Sequence, residues 1–143
     1  MNEIPARCVK TTSDSLIVFS EKKSKITFVN PDHNTYGAIQ VDGCVFNAED
    51  GHKCDNLLES EEYADQYFVE LKGSDSSTAV NQLKATIDKM PPRLAGAKRM
   101  AFAVFSNTCP KNDTKRQAIE KNFKNRDILI KFCRTGETYR LER

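Results

Sequence analysis

Three charged side chains, Asp55, Glu70 and Lys72, stand in a stretch that otherwise has the composition of two buried strands. Two neighbouring carboxylates suit Mg²⁺, which completes its ligands with water and a substrate phosphate. An ammonium group beside them can stabilise charge that develops on the phosphate, or position an attacking water. The residue types therefore point to metal-assisted hydrolysis of a phosphate ester, with Mg²⁺ or Mn²⁺ as the cofactor.

Strand periodicity predicts that the two carboxylates meet. Strict alternation in the strand predicted at residues 66–72 puts Glu70 on one face, together with Phe68, and the apolar residues between them on the other. In the strand predicted at residues 53–59, Asp55 shares a face with Leu57 and lies opposite to Cys54. If the loop "SEEYAD" folds back symmetrically, residues whose numbers sum to 125 face each other. Asp55 is then expected directly opposite Glu70.

Two like charges directly opposed in an antiparallel pair have Cβ atoms roughly 5 Å apart and destabilise the sheet. A positive charge must therefore compensate Asp55 and Glu70. Lys72 alone would do so in a purely structural ion cluster, whereas a divalent cation would do so in a metal site.

The elements around these strands predict an α/β fold. Before them, strands are expected at residues 11–20 and 25–30, and at 38–46, where Asp42-Gly43 is a hairpin signal. After them, apolar residues at helical spacing predict a helix that ends at Pro91-Pro92. The remaining predicted elements are a strand at 98–106 covered on both faces, a helix at 112–125, a strand at 127–133 and an edge strand at 138–141. We expect a central mixed β-sheet flanked by helices.

The site residues resemble the signature of the PD-(D/E)xK superfamily, the restriction-endonuclease-like nucleases. Asp55 matches its first acidic position, and "ELK", Glu70 to Lys72, matches its second motif. The resemblance implies a restriction-endonuclease-like core over roughly residues 38–134. It also implies that Asp55 and Glu70 hold the metal, that Leu71 offers its backbone carbonyl, that Lys72 assists the water, and that Gln82 lies near the site.

The chain also departs from that family. No proline precedes Asp55, and residues 1–24 show no helical period where the family has a first helix that often supplies a further Glu. Glu21 is the only substitute for that residue. A second copy of the triplet, Glu21 to Lys23, lies in a polar segment without a paired acidic strand and is set aside.

Charge is divided unequally along the chain. Residues 1–88 carry 8 basic and 15 acidic residues, a net charge of −7, whereas residues 89–143 carry 14 and 5, a net charge of +9. Such asymmetry is typical of nucleic-acid binding, although it also fits two surfaces that neutralise each other. The expected phosphate contacts are Lys111, Lys115, Arg116, Lys121, Lys124 and Arg126. Aromatic residues for stacking on single strands are sparse, so the expected partner is duplex or branched DNA.

Five scattered cysteines favour reduced thiols in a cytosol over a disulfide framework. A zinc site at Cys44, His52 and Cys54 is the alternative, although structural zinc sites need four ligands in closely spaced pairs. The chain has no apolar run long enough for a membrane span and no signal peptide at its start, so a cytoplasmic location without membrane contact is expected.

The sequence predicts one domain over residues 1–143, acting as a metal-dependent nuclease on DNA. A small chain does not easily hold both strands of a duplex, so a homodimer or a protein partner is expected. The alternative function is a non-catalytic nuclease-fold accessory protein that binds nucleic acid or a protein partner. A third interpretation treats Asp55, Glu70 and Lys72 as a structural charge cluster.

Overall fold

The computed structural model describes residues 4–47, 51, 53–71 and 76–142. After a short 3-10 helix at Ala6–Cys8 come the strands β1 (Val9–Thr12), β2 (Leu16–Glu21), β3 (Ser24–Val29), β4 (Tyr36–Gln40), β5 (Asn56–Ser60) and β6 (Gln66–Glu70). They are followed by α1 (Ser76–Lys89), β7 (Arg99–Phe105), α2 (Thr114–Lys124), β8 (Leu129–Arg134) and β9 (Thr138–Arg140). Neither helix in these ranges is both long and apolar enough to cross a bilayer.

The larger sheet has six strands in the order β1-β4-β5-β6-β7-β8. Neighbouring strands are antiparallel from β1 to β6 and parallel from β6 to β8. Parallel neighbours need a crossover connection, and α1 and α2 supply the two crossovers. The predicted mixed α/β sheet is confirmed. We call the edge at which the parallel strands end, at Glu70, Phe105 and Arg134, the carboxyl edge, and the edge at which they begin the amino edge.

Both helices pack on one face of this sheet. The apolar stripe predicted for α1 is buried there, with Leu83 and Ile87 almost completely removed from solvent. By contrast, α2 buries only Phe123, because the rest of its sequence is polar. This helix-side core includes Leu57 and Phe68, one from each of the strands that carry the acidic residues.

A separate three-stranded sheet, in the order β2-β3-β9, covers the other face. Phe28 of β3 lies at the centre of this second core and is fully buried. Its ring centroid is 5.2 Å from that of Phe102 and 6.0 Å from that of Tyr67. Strands β6 and β7 are therefore buried on both faces, and β7 is apolar on both faces from Met100 to Phe105 as predicted, because a core lies against each face.

Two of the expected strand segments differ from the structure. Residues 38–46 contribute only one strand, β4, and the Asp42-Gly43 turn leads to a single bridge between Asp42 and Phe46 instead of a hairpin. Within residues 11–20, Thr11 and Thr12 belong to β1 and residues 16–20 belong to β2, so the predicted strand is interrupted and divides between the two sheets. The edge strand expected at residues 138–141 is confirmed as β9, which lies at one edge of the three-stranded sheet and pairs in parallel with β3. These pairings depend on distant partners that local periodicity does not identify.

The expectation of five reduced cysteines is wrong. Cys8 and Cys44 form a disulfide bond, with a Cα–Cα distance of 5.6 Å. The remaining three cysteines, Cys54, Cys109 and Cys133, are free thiols. Scattered spacing did not reveal the bond because its two ends are 36 residues apart and are brought together only by the pairing of β1 with β4. The bond removes the cysteine-based argument for the expected cytoplasmic location, because disulfides are typical of oxidising compartments, and that location stays a prediction.

Removing the disulfide should destabilise the fold measurably. For a loop of this length, cross-linking lowers the entropy of the unfolded chain by the equivalent of about 4 kcal/mol. We expect Cys8→Ser/Cys44→Ser to lower the free energy of unfolding by about that amount in urea denaturation, with Cys109→Ser as the control that removes only a thiol. Equal denaturation midpoints for the double variant and the unmodified chain would show that the bond does not contribute.

Candidate active site

The β5–β6 pairing has the predicted register up to the residues next to the two acidic ones. In the β5–β6 pair, Asn56 is opposite Val69 and Leu57 is opposite Phe68, so paired residue numbers sum to 125 as expected. The paired residues end at Asn56, which directly follows Asp55 in the chain, and Val69, which directly precedes Glu70. The Asp55 amide also donates a hydrogen bond to the Val69 carbonyl, at 3.1 Å. The predicted register is therefore confirmed up to these neighbours, and the direct opposition of the two carboxylates stays a prediction.

Asp55 is held at both its side chain and its backbone. Its carboxylate oxygen Oδ2 accepts a hydrogen bond of 2.7 Å from the Leu71 amide, on the neighbouring strand. Its backbone carbonyl accepts hydrogen bonds from the Val41 and Asp42 amides, at 3.0 and 3.4 Å. Only 7% of the residue is exposed. These contacts fix one carboxylate oxygen in the gap between the end of β6 and the turn after β4.

Glu70 is the last residue of β6 and is completely buried. Because Phe68 belongs to the helix-side core, strand alternation puts Glu70 on the same face, beneath the layer of α1. Its neighbour on β7 is Ala103. Glu70 therefore lies at the carboxyl edge, where α/β sheets commonly form their sites because the connecting loops leave the sheet there.

Cys54 was expected on the face opposite to Leu57, but both residues belong to the helix-side core. Alternation fails here because the chain bends at Asp55 and regular pairing starts only at Asn56. Burial raises the pKa of the Cys54 thiol above its ordinary value, and the nearby charges of Glu70 and Asp55 raise it further. The thiol is therefore a protonated neighbour of the two carboxylates and is not a nucleophile.

Helix α1 docks on the segment that leads into Asp55, through two side chains one turn apart. The Lys53 amide donates to Gln82 Oε1 at 2.9 Å, and the Cys54 amide donates to Thr86 Oγ1 at 2.7 Å. The prediction that Gln82 points toward the sheet is consistent with this contact. Thr86 was not predicted, although its position four residues after Gln82 puts both on one helix face. The two contacts satisfy backbone donors that precede β5.

Lys72, the third residue of the motif, lies outside the described residues, and so does His52. Leu71 is described, and its amide, which donates to Asp55, is the part of the residue that contacts the site. The ligand role predicted for its carbonyl stays a prediction. The zinc alternative is wrong, because Cys44 is bonded to Cys8 and Cys54 is a buried thiol.

The expected DNA-contacting residues divide between the two edges of the sheet. Lys111, Lys115 and Arg116 lie in and after the loop that leaves the end of β7, which puts them at the carboxyl edge with Glu70. Lys124 and Arg126 lie at and just beyond the other end of α2, before β8 begins at the amino edge, and Lys121 is in the last turn of the helix. Except for Arg116, which is half-buried, these side chains are exposed. Only the first three share an edge with the carboxylates.

No group of three or more His, Cys, Asp or Glu side chains with metal-site geometry occurs in the ranges that the structure describes. A metal at Asp55 and Glu70 would therefore take the rest of its ligands from backbone, water or substrate. Mg²⁺ commonly binds in this way, through one or two carboxylates and substrate phosphates.

The raised thiol pKa gives a testable pH dependence. Below the ordinary thiol pKa of about 8.5 both folded and unfolded Cys54 are protonated, and at higher pH only the unfolded form loses its proton. The free energy of unfolding should therefore fall by about 1.4 kcal/mol per pH unit for this thiol. Cys133, whose pKa burial raises to about 12, adds to the fall. Urea denaturation at pH 8, 9 and 10 should give a shallower decline for Cys54→Ala, and parallel declines would contradict this assignment.

Comparison with known proteins adds no family assignment. The chain matches no protein-family model, no curated protein and no solved structure. The likeness to PD-(D/E)xK nucleases therefore depends on Asp55, on the triplet that begins at Glu70, and on the order of the elements around them.

Proposed function

We propose that this chain is a metal-dependent nuclease that hydrolyses DNA phosphodiester bonds, with Asp55 and Glu70 as the metal-binding carboxylates. The observation that carries the proposal is the β5–β6 register, whose last pair, Asn56 and Val69, adjoins Asp55 and Glu70 at the carboxyl edge. The antiparallel strands β4 to β6, the crossover α1 and the parallel strand β7 surround the pair in the order that the resemblance implies.

The donor chemistry of the two residues fits Mg²⁺ or Mn²⁺. Asp55 uses Oδ2 to accept the Leu71 amide, and no hydrogen bond from the described residues occupies its second oxygen, Oδ1. Carboxylate oxygens, supplemented by the Leu71 carbonyl, water and a substrate phosphate, make up the hard oxygen set that Mg²⁺ prefers. When bound, such an ion supplies Lewis-acid stabilisation of the charge that develops on the phosphoryl oxygens.

Other residues of the chain would position and complete the site. Lys72 would provide a positive charge next to the reacting phosphate and help to orient the attacking water. Gln82 holds the Lys53 amide and so fixes the segment from which Asp55 projects. In this role Gln82 is a positioning residue. The cationic residues of the carboxyl edge would bind the DNA backbone without reading its sequence.

The proposed substrate is duplex or branched DNA. Phosphate contacts dominate such binding and need no aromatic stacking surface. A single chain of this size presents one site, so cutting both strands would require a second copy or a partner protein. Both the homodimer and the partner complex remain part of this proposal.

A second candidate function is a non-catalytic binding protein with the same fold. The observation that favours it is the complete burial of Glu70, together with the hydrogen bond that Asp55 accepts from Leu71. Buried carboxylates of this kind can organise strand ends without binding a metal, as in the structural charge cluster. This candidate predicts DNA or protein binding without hydrolysis and without metal dependence.

Cleavage assays with matched carboxylate variants separate the two candidates. Asp65 is the control, because it is as buried as Asp55 and its carboxylate also accepts a backbone amide, that of Lys98 at 2.8 Å, but at the amino edge. On linear, nicked and branched DNA with Mg²⁺ or Mn²⁺, we expect Glu70→Gln and Lys72→Ala to reduce the cleavage rate at least about a hundredfold. EDTA should abolish cleavage, and Asp65→Asn should retain it.

The alternative outcomes are distinct. Equal activity of the Glu70→Gln and unmodified chains would remove Glu70 from the reaction. Absence of cleavage by the unmodified chain on every substrate, with DNA still bound, would favour the non-catalytic candidate. If the unmodified chain cleaves no substrate and Glu70→Gln has a lower thermal stability, the result would favour the structural charge cluster.

A further inference from the structure

Arg116 differs from the other basic residues of α2 in how its side chain is held. Its guanidinium lies over the Phe132 ring, 4.9 Å from the ring centroid, and Nη1 donates a hydrogen bond to the Pro110 carbonyl at 2.9 Å. Nε lies 3.6 Å from a carboxylate oxygen of Glu120. These contacts keep the guanidinium in one orientation while 22% of the side chain remains exposed. Arg116 is therefore a preorganised cation.

The sheet register relates this cation to Glu70. Glu70 pairs with Ala103 on β7, and Ala103 pairs with Phe132 on β8. Both Ala103 and Phe132 belong to the helix-side core, so the three residues form one row on the face where α1 and α2 pack. Neighbouring strands are about 4.8 Å apart, which separates Glu70 and Phe132 by about 10 Å. Arg116 lies above the far end of this row.

Arg126 lies at the other end of the molecule. Its guanidinium forms an ion pair with Asp88, near the end of α1, and its charge acts on Arg99, the first residue of β7. Helix α2 has 11 residues and is therefore about 16 Å long, which separates its first turn from the residues that follow its end. Arg126 is thus engaged at the amino edge, whereas Arg116 lies at the carboxyl edge.

We propose that Arg116 holds a backbone phosphate of the bound nucleic acid other than the phosphate at Asp55 and Glu70, and that Arg126 does not contact the nucleic acid. This inference rests on the proposed function, because it takes the carboxylate pair as the place where the strand is cut.

The chemistry of the side chain suits this role. A guanidinium presents a planar fork of donors that matches two phosphate oxygens, and stacking on Phe132 preorganises it, so that little freedom is lost on binding. The neighbouring Lys111 and Lys115 are exposed at the same edge and extend the positive surface. Together the three residues would set the path of the strand along the carboxyl edge, across the ends of β6, β7 and β8.

The test compares Arg116→Ala, Arg116→Lys and the control Arg126→Ala, all in the full chain. Binding of a fluorescein-labelled duplex is measured by anisotropy in EDTA, which prevents metal-dependent cleavage, at several salt concentrations. Arg116→Ala should weaken binding roughly tenfold and reduce the slope of log K against log salt by about 0.9, the value for one lost phosphate contact. Arg116→Lys should keep the slope but recover only part of the affinity. Arg126→Ala should change neither quantity.

Denaturation midpoints of the three variants check that a loss of binding is not a loss of folding, and Arg116→Lys keeps the test informative if Arg116→Ala does not fold. A loss of affinity and slope in Arg126→Ala equal to that in Arg116→Ala would overturn the assignment, and so would failure of the unmodified chain to bind DNA. Specific loss in the Arg116 variants without cleavage by any chain would support the phosphate contact and overturn the nuclease function instead.

Discussion

The register between β5 and β6 is the constraint on which the candidate site depends. A slip of one residue would move Asp55 out of line with Glu70 and would also turn Leu57 and Phe68 away from the helix-side core. Burial of those apolar side chains therefore fixes the position of the acidic ones. The repulsion between two neighbouring carboxylates is offset by the free energy gained on burying the hydrophobic core that sets the pairing.

Several independent contacts reinforce that register around Asp55. The turn after β4 donates two backbone amides to its carbonyl, α1 satisfies the amides that precede it, and Leu71 donates to its carboxylate. The Cys8–Cys44 disulfide ties the same turn to the segment before β1. An acidic residue supported by three separate parts of the fold is held more rigidly than one on a free loop, which is what a preorganised site requires.

Much of this arrangement follows from local pattern, and the remainder depends on distant pairing. Alternation and the symmetric loop were enough to predict the β5–β6 register that brings Asp55 and Glu70 to the same end of the two strands, and helical spacing was enough to predict the buried face of α1. The bend at Asp55, which moves Cys54 to the other face, has no periodic signal. The disulfide and the pairing of β9 with β3 join residues far apart in the chain, which spacing alone does not reveal. Likewise, the sequence does not show that Arg116 and Arg126 lie at opposite edges of the sheet, and only the folded structure does.

The most direct test of the account is a calorimetric titration of the full chain with Mn²⁺, because the central claim is that Asp55 and Glu70 form one metal site. The titration requires neither DNA nor catalysis, and Asp65→Asn serves as the matched variant at the amino edge. We predict a saturable heat of binding in the unmodified chain and in Asp65→Asn, and its loss in Asp55→Asn and in Glu70→Gln. Equal binding heats in all four proteins, or no binding in the unmodified chain, would contradict the account.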